Sequence, residues 1–194
     1  MTKKLILSFL ALLLLFTIAC NKTELEANKT VSNSKPSAVL EIESALIYKY
    51  GGVQPNARTS FYLLDKSAKE ILKSAAVMPQ GEKFEQTKAA LAKQGQNIED
   101  ANPLFWIKIA SKYPDYFPGF LPKALSEIKK HIVKSTTTDL QGKAKFEGLE
   151  YGRYYIYGTV EARDGWAVIW DLPIEIKDEK QSLILDQNNA LELD

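Results

Sequence analysis

The spacing of apolar side chains changes period twice along this chain, and those two changes restrict the fold more than any single motif does. From Ala38 to Tyr48 the residues alternate, with Val39, Glu41, Glu43 and Ala45 on one side and Leu40, Ile42, Ser44 and Leu46 on the other. That is the two-residue period of a β-strand. Gly51, Gly52, Pro55 and Asn56 mark a loop, and residues 58–64 return to a strand-like run. The period then lengthens. Ser67 and Glu70 make a capping-box pattern ahead of Ala68, Ile71, Leu72, Ala75 and Ala76, which share one helical stripe. A second helix is expected over residues 82–94, with Phe84, Leu91 and Ala92 inward and Gly95 as its stop. Asn102 and Pro103 read as the cap and first turn of a third helix, whose Leu104, Phe105, Trp106, Ile107, Ile109 and Ala110 leave almost no polar side. Pro122 opens a fourth, with Leu125, Ile128 and Ile132 at helical spacing.

From Ile132 onward the short period returns. Asp139 to Gly142 and Glu150 to Gly152 are turns, and Ala144 and Phe146 share a face between them. Tyr154, Ile156 and Val160 lie on one side of the next run, and Tyr155, Tyr157 and Thr159 on the other. Asp164-Gly165 signals a hairpin, after which Trp166, Val168 and Trp170 are expected on one face and Ala167, Ile169 and Asp171 on the other. Pro173 cannot donate to a ladder, so its strand is an edge there or changes partner. Residues 183–185 and 190–193 are expected to form a last strand pair. The fold class is therefore mainly β with an α insertion: an antiparallel β-sandwich of about seven strands, residues 38–65 and 132–194, interrupted by a four-helix insertion over residues 66–131.

Composition narrows the chemistry. The 194 residues carry 25 basic and 24 acidic side chains, one cysteine and one histidine. A balanced charge does not suit a nucleic-acid partner. One imidazole and one thiol cannot furnish a zinc site or a disulfide scaffold, and no cofactor or metal is expected. His131 follows Lys129 and Lys130 near a helix end, where a cation complements the dipole. Asp164, Asp171, Asp178 and Asp186 flank turns and strand ends, where aspartate is common without a metal. An isopeptide crosslink between Lys49 and Asn188 or Asn189, assisted by Glu150 or Glu161, has its ends present but no flanking pattern.

Lys3 and Lys4 precede an apolar run over residues 5–19, which has the length of an export signal and is short for a membrane span. Thr17-Ile18-Ala19-Cys20 resembles the bacterial lipobox, in which the cysteine is acylated and becomes the first residue of the mature chain. Residues 1–19 are thus expected to be a lipoprotein signal and Cys20 the lipidation site, with palmitate-class acyl chains holding the protein on a membrane. Without Lys3 and Lys4 the formal charge becomes 23 minus 24, or −1. Asn21 follows the cysteine where inner-membrane lipoproteins carry Asp, so the resemblance implies the outer membrane of a bacterial envelope, on its periplasmic or surface face. Residues 20–37 are polar with few apolar groups and read as a flexible tether.

Thr138 and Asp139, then Gly142, Phe146, Leu149, Gly152, Tyr154 and Ile156, resemble the central signature of carboxypeptidase regulatory-like domains, which are transthyretin-like (prealbumin-like) sandwiches. Gly52, Val53, Pro55 and Ala57 resemble that family's first connection. The resemblance implies a transthyretin-like antiparallel β-sandwich for the strand-rich half and says nothing of the helices. The enzymes on related sandwiches need several histidines, and this chain has one. Its implied role is non-catalytic: a lipid-anchored binding or assembly module of the cell envelope, meeting an envelope protein or glycan. A structural spacer lipoprotein is the alternative, and a hydrolase with its site in the insertion a remoter one. The candidate contact residues are aromatic: Tyr113, Tyr116, Phe117 and Phe120 around a proline-rich connection, and Tyr155, Tyr157 and Trp170 on the sheet. The same rings could instead seal the helices onto the sandwich.

Overall fold

The computed structural model describes residues 37–95 and 102–191. The expected signal over residues 1–19, Cys20, the tether up to Pro36 and the end of the last expected strand lie outside the described residues.

The described chain runs β1 (Ala38–Tyr48), β2 (Gly52–Pro55), β3 (Ser60–Leu64), α1 (Ala68–Ser74), α2 (Glu82–Lys93), α3 (Pro103–Lys112), a 3-10 turn (Pro114–Tyr116), α4 (Phe120–Lys129), β4 (Ile132–Thr137), β5 (Lys143–Leu149), β6 (Gly152–Glu161), β7 (Ala167–Ile176) and β8 (Lys180–Leu185). One sheet is centred on β1, which has β5 and then β2 along one side and β8 along the other. The second has the order β4-β3-β6-β7 and is antiparallel throughout. The inner faces meet in a core of Leu40, Ile42, Leu46, Phe61, Leu63, Phe146, Ile156 and Trp170, all buried. Each such side chain contributes roughly 2 kcal/mol through burial.

Strand parity explains why a helical layer exists. On β3 and β6 the residues between the core positions, Tyr62, Leu64, Tyr155 and Tyr157, point to the other face of the second sheet, and Ala167 and Ile169 join them from β7. A sheet apolar on both faces must be covered on both. The helices between β3 and β4 supply that cover through Ile71, Leu72, Phe84, Leu104, Trp106, Ala124 and Ile128. The described residues thus form three layers, sheet on sheet on helix.

The structure departs from the sequence reading at several elements. The described residues form eight strands, because residues expected as a loop form β2 and pair with β1, Ile47 opposite Val53. All four residues of β2 are exposed, so it carries no apolar period to be read. The last described strand, β8, does not pair with Ala190 or Leu191, and Leu191 N instead donates to the Ile169 carbonyl of β7. β8 crosses to the first sheet and lies parallel to β1, Ile42 opposite Leu183, so that sheet is mixed. The fourth helix starts at Phe120 and buries Phe120, Ala124 and Ile128, while Leu125 is exposed and Ile132 belongs to β4. Pro173 sits on β7, an edge strand, where the missing donor faces no neighbour.

The residues that resemble the carboxypeptidase regulatory-like signature build a joint between the sheets. Thr138 follows β4 in one sheet and leads to β5 in the other; Asn56 follows β2 and leads to β3 in the reverse sense. Thr138 Oγ1 donates to the Asn56 carbonyl and accepts from Thr59 N at 2.9 Å. Asn56 Nδ2 donates to Ser44 Oγ at 2.9 Å inside the core. Asp139 Oδ1 accepts from the Gln141 and Lys143 amides at 2.9 and 2.8 Å, shaping the turn. Gly142 has a φ of +77°, and a Cβ there would lie 2.3 Å from the Ser44 carbonyl oxygen, so no other residue fits.

Candidate functional site

The aromatic side chains divide by burial. Phe117 and Phe120 are in the helical core, Tyr157 faces the helices from β6, and Trp170 points between the sheets. Expected as a contact surface, these four are interior. Trp170 packs on Phe61 with ring centres 5.7 Å apart and donates Nε1 to the Asp186 carbonyl and Asn189 Oδ1. Tyr155 is half-buried against the helical layer. Strand alternation is the reason: consecutive residues on β6 and β7 serve opposite faces, and both faces are covered.

Tyr113 and Tyr116 remain at the surface, 41% and 46% exposed. The 3-10 turn after α3 brings them together as a stacked pair, with centres 5.5 Å apart and planes 21° from parallel. Trp166 meets Tyr113 edge-on at 6.1 Å. The cluster is rooted in the core, because Phe117 contacts Tyr116 on one side and Trp106 on the other, and Trp106 holds Phe84 and Phe105. Two ammonium groups lie over its rings, Lys112 Nζ 4.1 Å from the Trp166 centre and Lys83 Nζ 5.5 Å from that of Tyr116. A cation is drawn to the negative face of an aromatic ring. Lys112 Nζ also donates to the Asp164 carbonyl at 3.1 Å, and the Asp164 carboxylate accepts from Trp166 N at 3.1 Å.

Alternation places Trp166 on one face with Val168 and Trp170, and the structure separates it from them. It lies in the turn before β7, whose closure by Ala162 N on the Trp166 carbonyl leaves it outside strand parity, so it turns to the helical side. Asp164 and Gly165, read as the centre of a tight hairpin, lie within this longer turn.

The cluster stands at one end of the sandwich. Arg163 ties the β6–β7 turn to the β1–β2 hairpin: its Nε donates to Gln54 Oε1 at 3.0 Å and its guanidinium stacks 4.3 Å from the Tyr48 ring centre. Gln187 joins the chain after β8 to the same end through two bonds to Ile47, at 2.9 and 2.8 Å. Beside Trp166 a groove of about 460 Å³ runs past Phe105, Lys108, Ile109, Asp164 and Gln187. Ser37 enters β1 at the opposite end of the strand's 11 residues, roughly 35 Å away at the usual rise.

The polar candidates resolve into structural duties. His131 Nδ1 lies 2.8 Å from Asp65 Oδ1, and Asp65 N donates to the His131 carbonyl. The histidine stands directly after the end of α4, as its position in the sequence suggests, its amide bonded to the Ile128 carbonyl, and there it also serves the base of the helical excursion, where the chain leaves β3 and enters β4. Asp171 accepts from Ser67 Oγ and from the Ala68 and Lys69 amides at 2.7, 2.9 and 3.1 Å, capping α1 from another element. Asp186 orders its own turn through Asn188. Among the described residues no group of histidine, cysteine and carboxylate side chains converges on a metal position. Asn189 is committed to Trp170, Asp186 and Ile184, and Lys49 lies over the exposed Tyr50 ring, so these crosslink candidates have other partners.

The fold and this cluster define a β-sandwich protein with an aromatic and cationic loop end. No family model and no curated protein matches the chain. Similar solved structures include a Pseudomonas aeruginosa protein described provisionally as carbohydrate-binding, at 14% identity and a TM-score of 0.39, covering 80% of this chain and 92% of that one. Another is a minor pilin of Streptococcus agalactiae, at 12% identity and 0.35, over 78% and 44%. A third is the major pilin subunit of Bacillus cereus, at 12% and 0.31, over 77% and 29%. No role passes to this chain at such distances.

Proposed function

We propose that this protein is an envelope lipoprotein, acylated at Cys20 and held on a bacterial outer membrane, whose carboxypeptidase regulatory-like sandwich acts without catalysis as a binding module. The observation that carries the binding role is the exposed Tyr113–Tyr116 stack beside Trp166. Aromatic rings leave water readily and concentrate binding energy in few contacts. These rings are held in place by the buried Phe117 and Trp106, so little order has to be acquired on contact. The joint formed by Thr138, Asp139 and Gly142 supports the reading of the sandwich, and the residues around Cys20 support the anchor.

Two measurements test this. An alkyne palmitate analogue fed to cells should label the protein and should fail to label Cys20→Ala; labelling of that variant would refute the anchor. A photoreactive phenylalanine analogue at Tyr116 should capture an envelope component that the same group at Glu70 does not. Identical capture from both positions would remove the cluster from the binding role.

A further inference from the structure

The chemistry around the rings identifies a ligand class. Resting on the binding role above, we infer that the Tyr113–Tyr116–Trp166 cluster and the adjoining groove take an acidic saccharide, a sugar chain carrying carboxylate or phosphate. Three features converge. Tyrosine and tryptophan present flat apolar faces with polar edges, which suit a pyranose ring whose C–H groups lie on one face and whose hydroxyls project from its rim. The three rings are fixed against one another at 5.5 and 6.1 Å, so the platform exists before the ligand arrives. The adjoining groove, about 460 Å³, has the volume of a small-molecule site and mixes apolar walls, Phe105 and Ile109, with Lys108, Asp164 and Gln187.

The sign of the charge selects among sugars. The groups seated over the ring faces are ammoniums, those of Lys83 and Lys112. The Asp164 carboxylate is turned to a backbone amide, and Lys112 places one of its three donors on a carbonyl. An anionic substituent on a sugar stacked at this platform would meet ammonium. A neutral sugar would leave that complementarity unused.

The test uses the full protein in zwitterionic detergent micelles, titrated with polygalacturonate and with phosphomannan. Methyl-esterified polygalacturonate and dephosphorylated mannan keep the sugar and remove the charge. At least one acidic polymer is expected to bind about tenfold more tightly than its neutral form, with the difference shrinking as salt rises. Which one binds distinguishes carboxylate from phosphate. The double variant Lys83→Gln, Lys112→Gln should lower acidic binding about fivefold and leave the neutral form unaffected. Tyr113→Ala with Tyr116→Ala should abolish both, with an unchanged melting curve showing that the fold survives. Equal affinity for acidic and neutral polymers, full binding by the aromatic variant, or binding to phosphatidylglycerol vesicles alone would overturn the inference. If no polymer binds while the Tyr116 photoprobe still captures an envelope component, the saccharide falls and the binding role stands. If both fail, the binding role falls with it.

Discussion

Tyr157 shows how differently a side chain can behave from what its type suggests. A tyrosine on a sheet reads as a contact residue, yet this one is buried against the helices, stacked 6.5 Å from Tyr62, and its hydroxyl has no hydrogen-bond partner among the described residues. An unpaired buried hydroxyl costs about 1–3 kcal/mol. Tyr157→Phe is therefore expected to match or exceed the parent stability at pH 7 by up to about 1 kcal/mol, read from urea unfolding. Burial, with the Asp171 carboxylate and Tyr62 adding to it, pushes the phenol well above its ordinary value of 10.0. The folded state then keeps a proton that the unfolded chain releases. Its contribution is complete below about pH 10 and is lost as the pH rises from there toward the folded value. The parent should lose stability over that range more steeply than Tyr157→Phe, and parallel slopes would refute the account.

At the scale of elements, a helix cap supplied by a distant strand joins two layers. The Ser67–Glu70 pattern marked the start of α1, and Ser67 Oγ does accept from Glu70 N, though at 3.4 Å. The stronger cap is Asp171 of β7, which takes the Ala68 and Lys69 amides and the Ser67 hydroxyl together. Asp171→Ala should cost about 1–2 kcal/mol, measured by chemical denaturation, with Asp171→Asn recovering part of the loss. A change within a few tenths would mean that Ser67 alone caps the helix. The starts of α1 and α3 were legible because their signals are local: Asn102 Oδ1 caps α3 at Leu104 N as its position before Pro103 suggests. The cap from Asp171 was not, since its partners lie over 100 positions away in the chain. The bulge in β5 is intermediate. Phe146 and Leu149 are both buried although three residues apart, which strict alternation forbids, and Gly148, at a φ of +69°, takes up the extra residue.

Across the described residues, the helical excursion and the sandwich form one body. Tyr157 and Ile169 of the second sheet belong to the same core cluster as Trp106 and Ile128 of the helices, and the Asp65–His131 pair holds the base of the excursion. Far-ultraviolet circular dichroism, which weights the helices, and tryptophan fluorescence from Trp106, Trp166 and Trp170 are expected to report one coincident unfolding transition. An earlier loss of the helical signal would show that the layer is an independent unit.

Local residue patterns were enough to give the period changes, and with them the strand–helix–strand succession, the Asn102 cap before Pro103 and the turn made by Thr138, Asp139 and Gly142. All of these follow from residues within a few positions of one another. Only the tertiary structure decided which aromatic rings face water, that β8 runs parallel to β1, and that Lys83, Lys112, Tyr113, Tyr116 and Trp166 share one end of the molecule. Alternation specifies the face of a strand on which a side chain lies, but not what covers that face. Here the helices bury one aromatic set and lift another into solvent, a choice made by contacts between residues far apart in the chain.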